Sequence, residues 1–186
     1  MAVQPAPYRF TVGEYYRMAE AGIFDEDDRV ELLEGEIVDM APIGSRHAAC
    51  VKRLNRFFSE RLPEQVTVAV QDPVRLSEVS ESQPDLMLLH PRSDDYAGGH
   101  PGPEDVLLLI EVADTTAAWD REHKLPLYAR AGVREVWLVD LPAGTVEVCR
   151  RPEGAVYQSV RLAGPDERLA PEAFPETSLL AGEVLV

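Results

Sequence analysis

The sequence predicts an α/β protein, with strands buried on both faces set among amphipathic helices. Three observations predict it. The stretch "VLLLIEVADTT" (106–116) opens with five aliphatic residues in a row, the signature of a strand covered on both sides. Segments with helical spacing of apolar residues, 11–24 and 46–61, alternate with short strand-like runs. At 186 residues the chain can also bury a core in a single domain without disulfides or metal staples.

In chain order, "TVGE" places a capping box, Thr11 with Glu14, at the head of the first helix. "RVELLEGEIVDM" (29–40) reads as a hairpin turning at Glu34-Gly35. "RHAACVKRLNRFFSERL" is a second helix, with Ser45 as its expected N-cap. Strand-like pieces follow at 66–70, 74–77 and 84–89, then a polar loop, "HPRSDDYAGGHPGPED", long enough to be either mobile or part of a site. After the strand that carries Glu111, a helix ends near Gly132, a residue suited to a left-handed C-terminal cap. Pro126 tolerates only a first helical turn, so that helix is expected to begin near Glu122. "EVWLVD" (135–140) and "TVEVCR" (145–150) form a hairpin across "LPAG", and the tail 155–186 is strand-like and rich in proline.

The bulk composition narrows the function. The net charge is −15, and a chain so acidic is repelled by phosphate at long range, which argues against avid non-specific nucleic-acid binding. A nucleic-acid partner then needs a local basic patch or a bridging metal ion. Cys50 and Cys149 have no metal-type spacing and suit free thiols in a reducing compartment. The start "MAVQPAPYRF" has neither the basic nor the apolar part of a secretory signal, and a cytoplasmic location is the expectation.

Four charged residues stand where the pattern wants apolar ones. Glu111 interrupts the buried strand, where an ionised carboxylate is costly without a partner. Asp85 opens the apolar strand of "PDLMLL", behind a proline at the one tolerated position. On a helical wheel, Lys124 shares a stripe with Leu127, Tyr128 and Ala131, so the lysine points inward, and Glu111 is its obvious partner. His47 falls within the apolar arc of Cys50, Val51, Leu54, Phe57 and Phe58, while Arg46, Lys52, Arg53 and Arg56 make a separate basic stripe that can meet phosphate. Each feature also has a plain structural reading: a hydrogen-bonded core histidine, a turn aspartate, a buried ion pair, a solvated face. Two strand acids able to converge on a hard divalent cation, with a lysine beside them, point to metal chemistry.

In order and spacing, "VELLEGEIVDM", "RHAACVKRL", "QPDLMLL", "LLLIEVADTT" and "DREHKLPLYARAGVREVWLVD" resemble the Uma-type putative restriction endonucleases of the PD-(D/E)xK nuclease superfamily, over residues 10–150. The resemblance implies a restriction-endonuclease-like α/β core, a mixed β-sheet flanked by helices, and often a homodimer; the strand-rich tail beyond it is read as a C-terminal extension of the same domain. It implies Mg²⁺-dependent hydrolysis of phosphodiester bonds, most naturally of DNA, with Mn²⁺ able to substitute. Asp85 and Glu111 match the metal-binding acids, Glu31 the early acidic position, and His47 the helix histidine. The lysine that stands two residues after the glutamate in the commoner form of the superfamily is here Ala113, and Lys124 on the helix takes its place. "EVADTT" departs from the family's usual "EVLSPST" by adding Asp114. A second reading stays open, in which the fold serves binding or protein interaction without efficient catalysis.

Overall fold

The structure, a computed structural model, describes residues 6–25 and 27–185. Helix α1 (Val12–Glu20) starts on the expected capping box: the Glu14 amide donates to Thr11 Oγ1 at 3.2 Å, and the Thr11 amide donates to Glu14 Oε2 at 2.9 Å. The helix stops short of the expected 24 because Gly22 turns the chain at φ +72°. Strands β1 (Val30–Leu33) and β2 (Glu36–Asp39) pair across Glu34-Gly35, both at positive φ as a tight hairpin turn demands. Only glycine fits the second turn position, since a Cβ there would lie 2.7 Å from Arg9 Cβ.

Helix α2 (Ser45–Arg61) is capped by Gly44, and Ser45, the expected cap, is its first helical residue. The physical reason lies across the site: a Cβ at Gly44 would come within 3.1 Å of Asp114 Oδ2, so the acid occupies the space of a capping side chain. Strands β3 (Thr67–Ala69), β4 (Val74–Ser77) and β6 (Leu86–Leu89) lie where expected; β5 (Ser80–Ser82) has no counterpart in the sequence reading. The long polar loop, expected to be mobile or part of a site, does not border the main cavity. It is tied down locally: Tyr96 OH donates to the His90 carbonyl at 2.7 Å, and Arg92 lies over the Tyr96 ring.

Strand β7 (Val106–Ala113) leads into α3 (Ala117–Trp119), a π-helical turn (Asp120–Lys124) and α4 (Leu125–Ala131). The helix therefore begins five residues before the expected Glu122. Pro126 does sit in the first turn of an α-helical segment, and the wide turn ahead of it avoids the clash of its ring with the Glu122 carbonyl. Gly132 closes α4 at φ +86°, with the Val133 amide donating back to the Tyr128 carbonyl at 3.0 Å. Then come β8 (Glu135–Asp140), β9 (Thr145–Glu153), β10 (Val156–Ala163), β11 (Arg168–Leu169) and β12 (Leu179–Leu180).

The main sheet runs β10-β9-β8-β7-β6-β3, antiparallel except for the parallel pair β7–β8, and is therefore mixed. A smaller antiparallel sheet, β2-β1-β5-β4, stands beside it. Side chains alternate along each strand, so the main sheet has two covered faces. One carries Leu86, Leu108, Ile110, Trp137 and Val148 against Cys50, Leu54 and Phe58 of α2 and against Leu169, Leu179 and Val184 of the tail. The other carries Met87, Leu109, Val136 and Cys149 against Leu127 and Tyr128 of α4 and against Leu33, Val74 and Leu76 of the smaller sheet. The tail is bound in further by buried Glu135, which accepts from Arg150 at 2.7 Å and from the Glu172 amide at 2.6 Å.

Candidate active site

Strand alternation decides which charged residues can meet. Glu111 lies on the α4 side of β7, and the register Leu86↔Ile110 sets Asp85 opposite it, at the open end of the antiparallel pair β6–β7. The two acids expected to converge therefore face one space. The N-terminus of α2 brings His47 to the same place: His47 Nε2 stands 2.8 Å from Asp85 Oδ1. Asp85 is also held by Gln71 Nε2, 3.3 Å from Oδ1, and by the Val112 amide, which donates to Oδ2 at 2.8 Å.

Lys124 completes the group from the other side. Its Nζ lies 3.0 Å from Glu31 Oε1 and 3.2 Å from Glu111 Oε1, and all three side chains are buried. Tyr128 OH also donates to Glu111 Oε1, in a short hydrogen bond, and no hydrogen bond among the described residues reaches Oε2. Glu31 spends its second oxygen on Ser82 Oγ at 3.0 Å and the Gln83 amide at 3.1 Å. All five residues singled out in the sequence thus border one cavity of about 790 Å³.

Burial and crowding set the charges. Glu111 is pushed up to about 8 by burial, with Asp85, Asp120 and Glu31 adding repulsion and Lys124 opposing it. Burial alone would lower Lys124, but Glu111 and Glu31 outweigh it and hold the ammonium above its ordinary value. Asp120 is raised, again chiefly by burial, although Thr116 Oγ1 donates to it at 2.7 Å. The site holds more carboxylate than its lysine neutralises. That excess suits a divalent cation. No group of three or more His, Cys, Asp or Glu side chains among the described residues is arranged to cage an ion by itself. Mg²⁺ does not need one: it takes one or two carboxylates and completes its shell with water and substrate phosphate. Asp85 and Glu111, oxygen donors on one open cavity, fit that requirement.

Several participants escaped the sequence reading. Tyr128 was visible on the Lys124 stripe but its hydroxyl role was not, and Ser82 lies in a polar segment with no strand signal. Asp120, four residues before Lys124 and just as buried, had the same helical signal. Of the basic stripe, Lys52, Arg53 and Arg56 are exposed along α2, while Arg46 turns to Asp114 at 3.6 Å and the Leu141 carbonyl at 3.1 Å.

A sheet of this order with two acids on adjacent strands invites comparison with known proteins. The family model Uma2, described as "Putative restriction endonuclease", matches residues 12–182. The chain belongs to this family. Membership supports a nuclease activity. Among solved structures, a putative nuclease belonging to DUF820 from Anabaena variabilis ATCC 29413 superposes with a TM-score of 0.73 at 16% identity, covering 95% of this chain and 97% of that one. The likeness shows that the two share a fold. No curated protein matches the chain. No helix among the described residues is long and apolar enough to cross a membrane.

Proposed function

We propose that this Uma2-family chain is a Mg²⁺-dependent endonuclease that hydrolyses phosphodiester bonds of DNA, with Asp85 and Glu111 holding the ion and Mn²⁺ able to replace it. The observation that carries the reading is the placement of Asp85 opposite Glu111 on β6–β7, with Lys124 against the same glutamate. Bound there, the ion would lower the pKa of a water and neutralise charge at the scissile phosphate. Lys124, kept charged by Glu31 and Glu111, orients the attacking water and stabilises negative charge growing on the phosphoryl oxygens. Tyr128 and Lys124 fix Glu111 through Oε1, and Oε2, with no hydrogen bond among the described residues, is left for the ion.

Glu31 has protein donors on both oxygens, so in this proposal it serves from the ion's outer shell by anchoring Lys124. His47 steadies Asp85 through Nε2, and its Nδ1 is buried with no hydrogen-bond partner among the described residues. With Nε2–H donated to Asp85, Nδ1 is left as an acceptor on the side turned away from that acid.

The test is calorimetric titration of Mg²⁺ and Mn²⁺ into the wild type and into Glu111→Ala, both first shown to be folded, followed by incubation with supercoiled plasmid. Uptake and nicking by the wild type, both lost in the variant, are expected. Folded wild type that takes up neither ion overturns the reading. The second reading, a nuclease fold kept for binding, would then stand, and the net charge of −15 favours it.

A further inference from the structure

The cavity that holds the acids has a second, apolar wall that phosphodiester hydrolysis does not require. Val38, Met40, Pro42 and Ile43 line it, and Trp119 borders it from the end of α3. Ile43 stands at the rim of this wall and is 44% exposed. Trp119 is half-buried, and one ring face is braced by the His123 imidazole, 4.8 Å away and 14° from parallel. His123 is tied in turn to the Trp119 carbonyl at 3.1 Å. The indole is therefore held between His123 and the core beside the carboxylates.

Charge says how a nucleic acid can be held there. Glu31, Asp39, Asp85, Glu111, Asp114 and Asp120 border the cavity, against Arg29 and Lys124. The carboxylates outnumber these cations, so neutralising phosphates with cationic side chains, the usual source of duplex affinity, is weak at this wall, where Arg29 bonds the Ala41 carbonyl at 3.3 Å. Stacking of a base on an aromatic ring is the alternative, and it needs a base out of its helix. A volume of about 790 Å³ admits a nucleotide with its phosphate at the acids.

We infer that the substrate enters as single-stranded DNA, with an unpaired base stacked on Trp119 and the phosphate beside it presented to Asp85 and Glu111. This rests on the nuclease reading and narrows its substrate class. Val38, Met40, Pro42 and Ile43 line the same cavity and offer the base further apolar contact, and duplex DNA, with its bases paired inside, leaves this wall empty.

The test uses intrinsic fluorescence, because Trp137 is fully buried with its Nε1 bonded to Glu135, so a ligand-induced change reports on Trp119. Ca²⁺ stands in as the hard divalent ion for binding, and cleavage is assayed separately with Mg²⁺. Oligodeoxythymidylate is titrated against the same length of duplex and against a strand with abasic sites in place of its bases. Quenching by the single strand is expected, with affinity falling roughly 5- to 150-fold for the abasic strand, the worth of one stacked base. Trp119→Ala should lose a similar factor and Trp119→Phe should recover most of it. The abasic arm uses the wild type alone, so a poorly folded variant leaves the test intact. Equal affinity for abasic and intact strands, or preference for duplex, overturns the inference even where plasmid is cut. Base-dependent binding without any cleavage in Mg²⁺ upholds it and sinks the nuclease reading instead.

Discussion

Replacing Glu111 by Gln should change how stability depends on pH more than it changes stability itself. The folded chain raises this carboxyl from 4.5 to about 8. A raised acid binds its proton more tightly folded than unfolded, so the folded state is favoured while the group is protonated and loses stability as pH climbs from the unfolded value through the folded one. The full penalty for ionising it is about 5 kcal/mol. Lys124, raised above its ordinary value, titrates beyond this window and leaves the slope unchanged. Gln keeps an acceptor for Tyr128 and Lys124 but has no charge to lose. In urea denaturation with chelator, going from about pH 5.5 to about pH 8.5 should cost the wild type about 3 kcal/mol more than Glu111→Gln. With an m-value of about 2 kcal/mol/M, that is a relative midpoint shift of roughly 1.5 M. Parallel curves for the two proteins would show that Glu111 is already ionised at low pH, and the reasoning about burial and crowding would fail.

Lys124→Met should cost about 3–5 kcal/mol near pH 8, where buried Glu111 loses the cation that eases its ionisation, and less at pH 5, where Glu111 is protonated; thermal unfolding at the two values checks it, and equal losses would refute it. Arg150→Ala should also lose about 3–5 kcal/mol, since Glu135 is buried and accepts from both Arg150 Nε and Nη2; a loss under about 1 kcal/mol in urea would show that Trp137 and the Glu172 amide suffice. Gly132→Ala should destabilise by about 1–2 kcal/mol through its left-handed φ, with room for the methyl group itself; an unchanged midpoint would mean that α4 ends differently. Removing the Tyr128 hydroxyl with Tyr128→Phe should cost about 1–3 kcal/mol and loosen Glu111, seen as weaker Mg²⁺ uptake by calorimetry; undiminished uptake would separate the hydroxyl from the metal site.

What the sequence revealed follows the physics of its signals. Hydrophobic runs and caps act locally, so β7, the Glu34-Gly35 turn and the Thr11 cap were legible. Strand β5 was not, because Ser80, Glu81 and Ser82 are buried by hydrogen bonds rather than by apolar character. Ser80 Oγ accepts from the Glu34 amide, Glu81 accepts from Tyr16 and Arg75, and Ser82 Oγ donates to Glu31. Periodicity cannot register such a strand. The tail was legible only in part: it reads as strand-like and holds β10, but β11 and β12 are two residues long, too short for periodicity to show, yet Leu169, Leu179 and Val184 finish one face of the core. Within the site, the wheel placed Lys124 inward without revealing that the helix starts at Ala117 or that a π-helical turn precedes Pro126.

That turn explains how a helix can take over a strand's lysine. Glu111 and Ala113 point to the same side of β7, but position 113 holds a fully buried alanine, so the strand supplies no cation there. The cation must come from α4 and the turn before it. In a regular α-helix every fourth residue runs ahead of a full turn, because a turn takes 3.6 residues. A turn closed by i→i+5 bonds holds more residues and pulls that drift back. Here Leu125 donates to the Asp120 carbonyl in that way, and Asp120, Lys124 and Tyr128, spaced by four, are all buried, the first two bordering the cavity and Tyr128 bonding Glu111. Pro126 keeps the wide turn in place by denying the helix its regular bond. The proline that looked like an obstacle to a helical lysine is what aligns Lys124 and Tyr128 on the same oxygen of Glu111.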